Sequence, residues 1–590
     1  MTRARRSRFH GVLQVYRFAI RYWPAIGLTI ACMAAFASAE GYYLYLMRPF
    51  LDAFGDLLKR RGAAGLPADL HALYAVGERA ILLAPVVGAL ALAKELLTGW
   101  VIWRLVADLR NAICTALLPQ SLQFFEDRRS GDLMSRITND VGRSQMAFQM
   151  IFESIPEDFF HFLMGVIIAV IYGKEFLLAA LVVVPVVVVP VGYLAQRIRR
   201  YGRESLQKLS DLTDLMSQMF AGIRVIKAFK MEDAEAQEFQ RVNEKFLGKM
   251  VKVAKMRGFS SGTLEIIVRG FIGAAIILSV WLVSRGILDL TPGAVVISIG
   301  GIYYSFNSLR KLVKSYNRLH ETIPAADRIL ELVQHPPALQ DDPNARPLPR
   351  IQESIAFCNV SFAYDSEPVL RNITFEVKPG QRIAIVGKSG AGKSTLVALL
   401  MRFYDPTEGC VAFDGVDIRH VTRSSLLDHF AIVSQQTFLF NRTIGENIRY
   451  GRRDATQEEV ERAARLANMH DFIVSLPEGY DTLCGEFGAK LSGGQRQRIA
   501  IARAILKDPD ILILDEAMVG LDSESEAAVR SALENLMRGR TTFVVTHDIA
   551  TIRDADRILV LKDGRLLAEG THEDLMRDCE EYRVLYGLQV

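Results

Sequence analysis

The sequence predicts an all-α membrane domain of six helices, followed by an α/β domain with a mostly parallel sheet. At 590 residues the chain is too long for one hydrophobic core. Hydrophobic residues make up 50% of it, the mean hydropathy is +0.17, and the apolar stretches lie between Trp23 and Phe306. Beyond that region, short apolar runs such as Ile383 to Val386 and Ile511 to Leu514 alternate with helix-like stretches, a pattern typical of α/β domains.

The composition argues against a nucleic-acid partner and against a metal site built from cysteines. A net charge of +4 is small for a chain of this length, and no basic patch alternates with aromatic residues, so we expect no nucleic-acid partner. The six cysteines show no metal-ligand spacing and are expected to be free thiols.

Most of the apolar stretches have about the 17 to 25 residues that a helix needs to cross a bilayer, and we predict six spans. The third carries Glu153, Glu157 and Asp158, and the sixth is short, so hydropathy alone supports these two least. The predicted spans are Trp23 to Leu46, Ala80 to Trp103, Met146 to Tyr172, Phe176 to Leu194, Leu264 to Val283 and Pro292 to Phe306.

The N-terminus allows two interpretations. Residues 1–39 resemble a signal peptide, because four arginines precede an apolar run that ends in Ala37-Ser38-Ala39. Cleavage there would leave five spans. The arginines favour a cytoplasmic N-terminus, and the second domain needs the same side, so an even number of spans is required and the first helix is kept. The region from Arg48 to Arg79 is then expected to be an external loop.

The domains are separated by a proline-rich stretch. Charged, helix-favouring segments, Arg104 to Met146 and Gln196 to Lys255, are expected to continue the spans out of the membrane. Residues 334–350 contain five prolines and can form neither a helix nor a central strand. We therefore expect a membrane domain at 1–333, a linker at 334–350 and the α/β domain at 351–590.

The run Gly387-Lys-Ser-Gly-Ala-Gly-Lys-Ser394 predicts a phosphate-binding loop. Glycines let successive backbone N–H groups curl around phosphate oxygens, while Lys393 neutralises charge and Ser394 reaches a magnesium ion. Alone, this loop indicates only a nucleoside triphosphate.

Three further elements narrow the assignment: Leu491-Ser-Gly-Gly-Gln495, the apolar strand Ile511 to Leu514 ending in Asp515-Glu516, and His547 after another apolar strand. In this order and spacing the set resembles the ATP-binding cassette (ABC) family. The resemblance implies a six-helix exporter domain followed by a P-loop nucleotide-binding domain, which hydrolyses ATP with Mg²⁺ to drive transport.

The resemblance also implies a role for each motif residue. Glu516 would polarise the attacking water, His547 would contact the γ-phosphate, and Gln435 would sense magnesium. Magnesium would be held by Ser394, Gln435 and Asp515. A surface tyrosine and a buried core histidine are the plain alternatives for Tyr364 and His547. The residues expected to bind the nucleotide are Tyr364 (adenine), Gly387, Ser389, Gly390, Gly392, Lys393, Ser394, Thr395, Ser492, Gly493, Gly494, Gln495, Asp515 and Asp522.

Two further segments resemble the intracellular parts of half-size exporters, Phe124 to Asp140 and Gly222 to Phe229. In that family short coupling helices near such segments dock on the nucleotide domains, and we place them at Asn111 to Gln120 and Asp211 to Gly222. Solvated amphipathic helices are the alternative. One departure stands out, because Met518-Val519-Gly520 replaces the Thr-Ser-Ala usual in the family.

The chain has one cassette, whereas in the family each ATP lies between the phosphate loop of one cassette and the Leu-Ser-Gly-Gly-Gln of another. We therefore expect a homodimer, with a heterodimer as the alternative. Such a protein would lie in a bacterial inner membrane, with its N-terminus and its nucleotide domain in the cytoplasm.

The overall plan resembles bacterial lipid A flippases, so the expected cargo is an amphiphile, a lipid or lipid-linked glycan. A multidrug or peptide exporter is the nearest alternative, and an ATP-gated channel or regulator is an alternative of another class. Ionisable residues in or near the spans either line a cargo cavity or pair with each other. They are Glu40, Lys94, Glu95, Glu157, Glu265 and Arg269.

Overall fold

The computed structural model describes residues 18–59, 66–128, 130–172, 208–209, 211–285, 291–364, 367–518, 523–546 and 548–587. The chain divides into two compact units. The first contains Met1–Leu117 and Leu133–Gln334, and the second contains Leu118–Asp132 and His335–Val590.

Long helices build the first unit. The helix Gly131–Tyr172 is interrupted by two π-helical segments, Arg136–Asp140 and Met150–Ser154. In chain order, the helices up to the end of this unit are α1 (Trp23–Lys59), α2 (Leu66–Leu117), α3 (Leu122–Glu126), α4 (Gly131–Tyr172), α5 (211–221), α6 (Ile223–Phe229), α7 (Glu232–Ser284) and α8 (Pro292–Gln334).

Four helices of the described residues are long and apolar enough to cross a membrane, and they contain the first, second, third and fifth predicted spans. They are α1, α2, α4 and α7. The sixth predicted span, Pro292 to Phe306, is helical as the beginning of α8. The fourth, Phe176 to Leu194, lies outside the described residues.

We expected an external loop from Arg48 to Arg79, but most of this region is helical, so the prediction of a loop is wrong there. The helix α1 continues to Lys59, and α2 begins at Leu66. The run after Pro49 is rich in leucine and other residues of good helix propensity, so the helix continues beyond the end of the predicted span.

The first of the two predicted coupling helices, Asn111 to Gln120, is wrong as a separate short helix. Asn111 belongs to α2, which ends at Leu117 because Pro119 lacks an N–H and disfavours helix at the residue before it. The separate short helix is α3, with Ser121 as its extended N-cap. In the second predicted position, Asp211 to Gly222, residues 211–221 form the helix α5. A short helix, α6, follows Gly222 and is capped by Lys230 in the left-handed conformation. The coupling role of Asp211 to Gly222 stays a prediction.

An ion pair lies at the end of the first π-helical segment, with its carboxylate buried and its arginine partly exposed. This segment ends at Asp140, which is 5% exposed. Arg328 of α8 donates from Nε to one Asp140 oxygen at 2.8 Å and from Nη2 to the other at 2.6 Å. A π-helical turn inserts one extra residue, which redirects the side chains that follow it. Here the π-helical segment ends at Asp140, whose two hydrogen bonds with Arg328 join α4 to α8.

Two glycines allow the same helices to approach closely. A Cβ added at Gly165 of α4 would lie 2.4 Å from Ser305 Oγ and 2.7 Å from the Gly301 carbonyl oxygen. A Cβ added at Gly301 of α8 would lie 3.0 Å from the Gly165 carbonyl oxygen. Small residues at a membrane helix contact let the two backbones pack directly against each other.

Two sheets form the centre of the second unit. One has the strand order β2-β1-β4-β5 and is antiparallel, and the other has the order β10-β9-β3-β8-β7-β6 and is parallel apart from the β9–β10 pair. The strands are β1 (Ile355–Tyr364), β2 (Glu367–Val377), β3 (Arg382–Val386), β4 (Glu408–Phe413), β5 (Val416–Asp417), β6 (Phe430–Ser434), β7 (Ile511–Asp515), β8 (Thr541–Val545), β9 (Arg557–Lys562) and β10 (Arg565–Gly570).

Helices cover the parallel sheet, as expected for an α/β domain. One hydrophobic core fills the space between the two sheets, and a second lies between the parallel sheet and the helices packed on its β6 and β7 side. The helices are α9 (Lys393–Leu400), α10 (Arg423–Asp428), α11 (Ile444–Arg449), α12 (Gln457–Leu466), α13 (His470–Ser475), α14 (Gly493–Lys507), α15 (Ser523–Met537), α16 (Ile549–Arg553), α17 (His572–Asp578) and α18 (Glu580–Gly587).

The segment Leu118–Asp132, which contains α3, belongs to this second unit. Gln120 donates from Nε2 to the His335 carbonyl oxygen at 2.9 Å, and the Phe124 ring lies 5.5 Å from the His335 ring. Glu126 accepts a hydrogen bond from the Tyr404 hydroxyl. The compact unit is therefore built from two separate stretches of sequence.

Candidate functional site

The glycine-rich loop connects β3 to α9 at the carboxyl edge of the parallel sheet. Gly390 and Gly392 have φ of +80° and +98°, which L-residues with a Cβ rarely adopt. A Cβ at Gly387 would lie 2.4 Å from the Leu561 carbonyl oxygen, so the loop also packs directly on β9. The loop ends at the first turn of α9, where unpaired N–H groups are suited to bind phosphate.

Lys393 folds back over this loop. Its Nζ donates to the carbonyl oxygens of Gly387 at 2.8 Å and Lys388 at 3.1 Å, and the residue is 9% exposed. Burial lowers the pKa of Lys393, whereas the neighbouring Glu516 and Asp515 act to raise it. The ammonium group therefore lies where phosphate oxygens could replace the loop carbonyls as its acceptors.

Two carboxylates follow β7 at the same edge. Asp515 is paired with Ser434 of β6 on one side and Val545 of β8 on the other. Burial raises the pKa of Asp515, and Glu516 adds to the rise while Lys393 opposes it. Glu516 has a φ of +47°, and its N–H donates to the Val545 carbonyl oxygen at 2.8 Å. This left-handed backbone, strained for a residue with a Cβ, turns the chain sharply after Asp515.

Gln435 follows β6 and is exposed. Its neighbour Ser434 is held from two sides: its carbonyl accepts from Gln497 Nε2 at 3.4 Å, and its hydroxyl donates to the Gln436 carbonyl at 3.2 Å. The ends of parallel strands meet at one edge, which is where ligands bind in sheets of this type. The structure thus brings Gln435, Asp515, Glu516 and the glycine-rich loop to one edge.

Tyr364 ends β1 and reaches α9. Its hydroxyl lies 3.4 Å from Thr395 Oγ1, and its ring meets Phe362 edge-on at 4.8 Å between centroids. Tyr404 contacts it from another direction at 5.2 Å, with the two rings perpendicular. This places an aromatic ring beside the helix that follows the phosphate loop, as an adenine platform requires.

The Leu-Ser-Gly-Gly-Gln element forms the N-terminus of α14. Ser492 is the N-cap, its Oγ accepts from the Gln495 N–H at 3.3 Å, and its own N–H donates to Gln495 Oε1 at 2.9 Å. Ser492 and Gly493 are exposed, whereas Gly494 is buried. A rigid helix N-terminus on the surface can offer its positive end to an anion.

Two predicted site residues, Asp522 and His547, lie outside the described residues, as does Gly520 of the departure noted above. The strand β8 that precedes His547 ends at Val545, next to β7.

Magnesium fits the donors at this edge. Mg²⁺ is usually held by one or two carboxylates together with water and substrate phosphates, without a cage of protein ligands. Among the described residues, no group of three or more His, Cys, Asp or Glu side chains could hold a metal. Asp515 with the hydroxyl of Ser394 is the kind of oxygen donor set that completes its coordination with a nucleotide.

In the first unit, several ionisable residues pair with each other. Lys94 bonds Glu157 of α4, and Arg269 donates from Nε to Glu265 at 2.8 Å. Glu40 accepts from the Tyr304 hydroxyl at 2.8 Å. Of the six ionisable residues singled out in the sequence, Lys94 and Glu157 therefore pair with each other, as do Glu265 and Arg269.

Sequence reasoning missed the contact between Glu126 and Tyr404. They are 278 positions apart, and no motif or periodicity connects them. It also missed Gln497, which is 4% exposed and bonds Thr437 as well as Ser434.

Comparisons with known proteins agree with this geometry. The family model for the ABC transporter transmembrane region matches residues 29–309, and the ABC transporter model matches residues 370–519. An ATP-dependent lipid A-core flippase of Syntrophus aciditrophicus (strain SB) is 40% identical over 568 residues, which cover 96% of this chain and 92% of that protein.

The putative multidrug export ATP-binding/permease protein YgaD of Bacillus subtilis (strain 168) is 37% identical over 84% of this chain and 86% of that protein. A solved structure of a bacterial Atm1-family ABC exporter with ATP bound superposes with a TM-score of 0.78 at 30% identity, covering 97% of this chain and 98% of that one. With one transmembrane region and one cassette, this chain belongs to the ABC transporter family, as a membrane exporter that binds and hydrolyses ATP.

Proposed function

We propose that this exporter moves a lipid or lipid-linked glycan between membrane leaflets by alternating access. The observation that carries the proposal is the 40% identity, over 96% of this chain, to a protein named as a lipid A-core flippase. A groove of about 760 Å³ between α7 and α8 supports it, because its wall is mainly apolar side chains such as Ile272, Ile276 and Val296. Acyl chains of an amphiphile match such a wall.

The nucleotide site would work as a composite of two copies in a homodimer. Ser492 and Gly493 lie exposed at the helix N-terminus of each chain, available to the γ-phosphate held by the partner's loop. Tyr364 would stack on adenine, and Thr395 and the loop residues Ser389, Gly390 and Lys393 would hold the phosphates. Ser394, Asp515 and Gln435 would complete the coordination of Mg²⁺, which supplies charge neutralisation.

Glu516 is the residue that we assign to water activation. Its carboxylate follows a buried strand beside Asp515, and general bases at such positions are held in place by their backbone. The contact of His547 with the γ-phosphate and the nucleotide binding by Asp522 stay predictions. The domains keep their predicted limits of 1–333, 334–350 and 351–590, with Leu118–Asp132 as an addition to the last. The cassette needs ATP and would therefore lie in the cytoplasm, on the same side as the N-terminus. The membrane would be a bacterial inner membrane.

The proposal is tested by ATP hydrolysis of the purified protein in lipid nanodiscs. Lipopolysaccharide-type glycolipids and a panel of cationic drugs are titrated in parallel, with Glu516→Gln as the blank. Saturable stimulation by glycolipid alone supports lipid transport. Stimulation by drugs alone contradicts it and favours multidrug export, the second candidate, which the similarity to the Bacillus subtilis protein supports. No hydrolysis above the blank would contradict the homodimer.

A further inference from the structure

Tyr404 lies in a rigid turn between α9 and β4. The residue is 5% exposed. Arg402, two positions earlier, has a φ of +52° and is 3% exposed. Its Nη1 donates to the carbonyl oxygens of Ile418 and Val421 at 3.1 Å each. The turn that carries Tyr404 therefore has little freedom to move by itself.

The hydroxyl of Tyr404 is anchored outside the sheet. It donates to Glu126 in the last turn of α3, within the segment Leu118–Asp132. Burial raises the pKa of Tyr404, and the hydrogen bond to the Glu126 carboxylate raises it further, so this hydroxyl remains a proton donor at neutral pH. Glu126 is exposed, whereas the Tyr404 side chain is buried. A hydrogen bond to a carboxylate is stronger than one between neutral groups.

The ring of Tyr404 supports the platform for the nucleotide base. It packs perpendicular to Tyr364 at 5.2 Å and tilted against Phe362 at 5.4 Å. Tyr364 in turn lies 3.4 Å, hydroxyl to hydroxyl, from Thr395 at the start of α9. Edge-to-face aromatic contacts are directional, so the orientation of one ring constrains the other.

We propose that Tyr404 is a positioning residue that links the adenine platform to the segment Leu118–Asp132 through Glu126. The inference rests on the proposed function, because that function assigns adenine stacking to Tyr364. The segment is covalently continuous with α2 and α4. Coupling between two sites is reciprocal: if ATP binding shifts the conformational equilibrium of the segment, the conformation of the segment shifts ATP affinity by the same factor. Removing the link at Glu126 should therefore change the affinity for ATP.

The test measures KM and kcat for ATP in the full-length protein in nanodiscs without added cargo. The variants are Tyr404→Phe, which keeps the ring and removes the hydroxyl, Glu126→Ala, and the double variant. Glu126→Gln serves as the conservative variant, since its amide oxygen can still accept the hydrogen bond. Tyr480→Phe is the matched control, because the Tyr480 hydroxyl bonds His470 at 2.8 Å, elsewhere in the same domain.

We expect Tyr404→Phe and Glu126→Ala each to raise KM for ATP about three- to tenfold, the effect of one hydrogen bond, with kcat changed less than twofold. The double variant should resemble either single variant, Glu126→Gln should restore most of the affinity, and Tyr480→Phe should behave as wild type. An unchanged KM in Glu126→Ala, or effects that multiply in the double variant, overturns the link.

Tyr364→Ala, measured alongside, separates this inference from the proposed function. If Tyr364→Ala leaves KM for ATP unchanged, the assignment of adenine stacking to Tyr364 fails. If Tyr364→Ala raises KM and Glu126→Ala does not, the assignment stands and only the link through Tyr404 fails. A lower melting temperature in Tyr404→Phe at constant KM would mean a purely structural role and would also overturn the link.

Discussion

The contact between Gly165 and Gly301 makes a sharp prediction for Gly165→Ala. The added Cβ would lie 2.4 Å from Ser305 Oγ, 2.7 Å from the Gly301 carbonyl oxygen and 2.8 Å from the Ser305 nitrogen. The serine hydroxyl can rotate away, but the other two atoms are backbone. Real Cβ atoms essentially never approach closer than 3.0 Å, so α4 and α8 must separate. Overpacking of this kind costs about 1–3 kcal/mol.

A matched control removes the effect of helix propensity. Replacing glycine by alanine inside a helix gains about 1 kcal/mol by itself. Gly142 also lies in α4, and a Cβ there would meet nothing within 4 Å. We therefore expect Gly142→Ala to leave stability unchanged or raised, and Gly165→Ala to lie about 1–3 kcal/mol below it.

The assay is thermal unfolding of both variants in the same nanodiscs, followed by intrinsic fluorescence. For a domain of this size about 1 kcal/mol corresponds to roughly 2 °C, so the two melting temperatures should differ by several degrees. The double variant with Ser305→Ala should recover only part of the loss, because the backbone clashes remain. Equal melting temperatures for the two alanine variants would refute the direct backbone contact.

Three further predictions concern the nucleotide site. Glu516→Gln should lower kcat for ATP by about 10²- to 10⁴-fold, as expected for loss of a general base, while nucleotide binding measured by filter retention persists; normal turnover would remove Glu516 from catalysis. Lys393→Ala should weaken ATP binding about 10- to 100-fold, the effect of a lost charge-assisted hydrogen bond. Lys388 is exposed in the same loop, and Lys388→Ala should not weaken ATP binding. Calorimetric titration checks both variants. Burial raises the pKa of Asp515, so the ionised carboxylate destabilises the nucleotide-free fold. This destabilisation is absent at a pH below the pKa of Asp515 in the unfolded chain, and it grows as the pH rises above that value. Asp515→Asn should therefore raise the melting temperature near pH 7 and have little effect near pH 4; a gain that does not depend on pH would contradict this reasoning.

Much of the cassette could be predicted because local chemistry determines it. Gly390 and Gly392 occupy backbone conformations that favour glycine, and the β-branched runs at Ile383 and Ile511 form central strands with no polar interruption. The strand ends then place Asp515 and Gln435 at one edge by topology alone. The two-domain class followed in the same way from the distribution of apolar residues.

The first short helix could not be placed correctly from the resemblance to half-size exporters. Leu118-Pro119 ends α2 and Ser121 is the N-cap of α3, and these local signals separate the two helices between Leu117 and Leu122, which the resemblance did not. The π-helical turn that ends at Asp140 has no sequence signature, and the contact of Asp140 with Arg328 of α8 joins residues 188 positions apart. The Glu126–Tyr404 bond is a long-range contact of the same kind.

The composition of the second unit bears on how such proteins can be recombined. Its described residues include Leu118–Asp132 as well as those from His335 onwards, so a gene fragment that begins at the proline-rich linker encodes an incomplete cassette. The Tyr404 hydroxyl would lose its carboxylate acceptor, and the ring of His335 would lose Phe124. A chimaera that exchanges cassettes between half-transporters should therefore carry this fifteen-residue insert from the same donor, grafted into the loop between α2 and α4, so that both halves of the contact come from one parent.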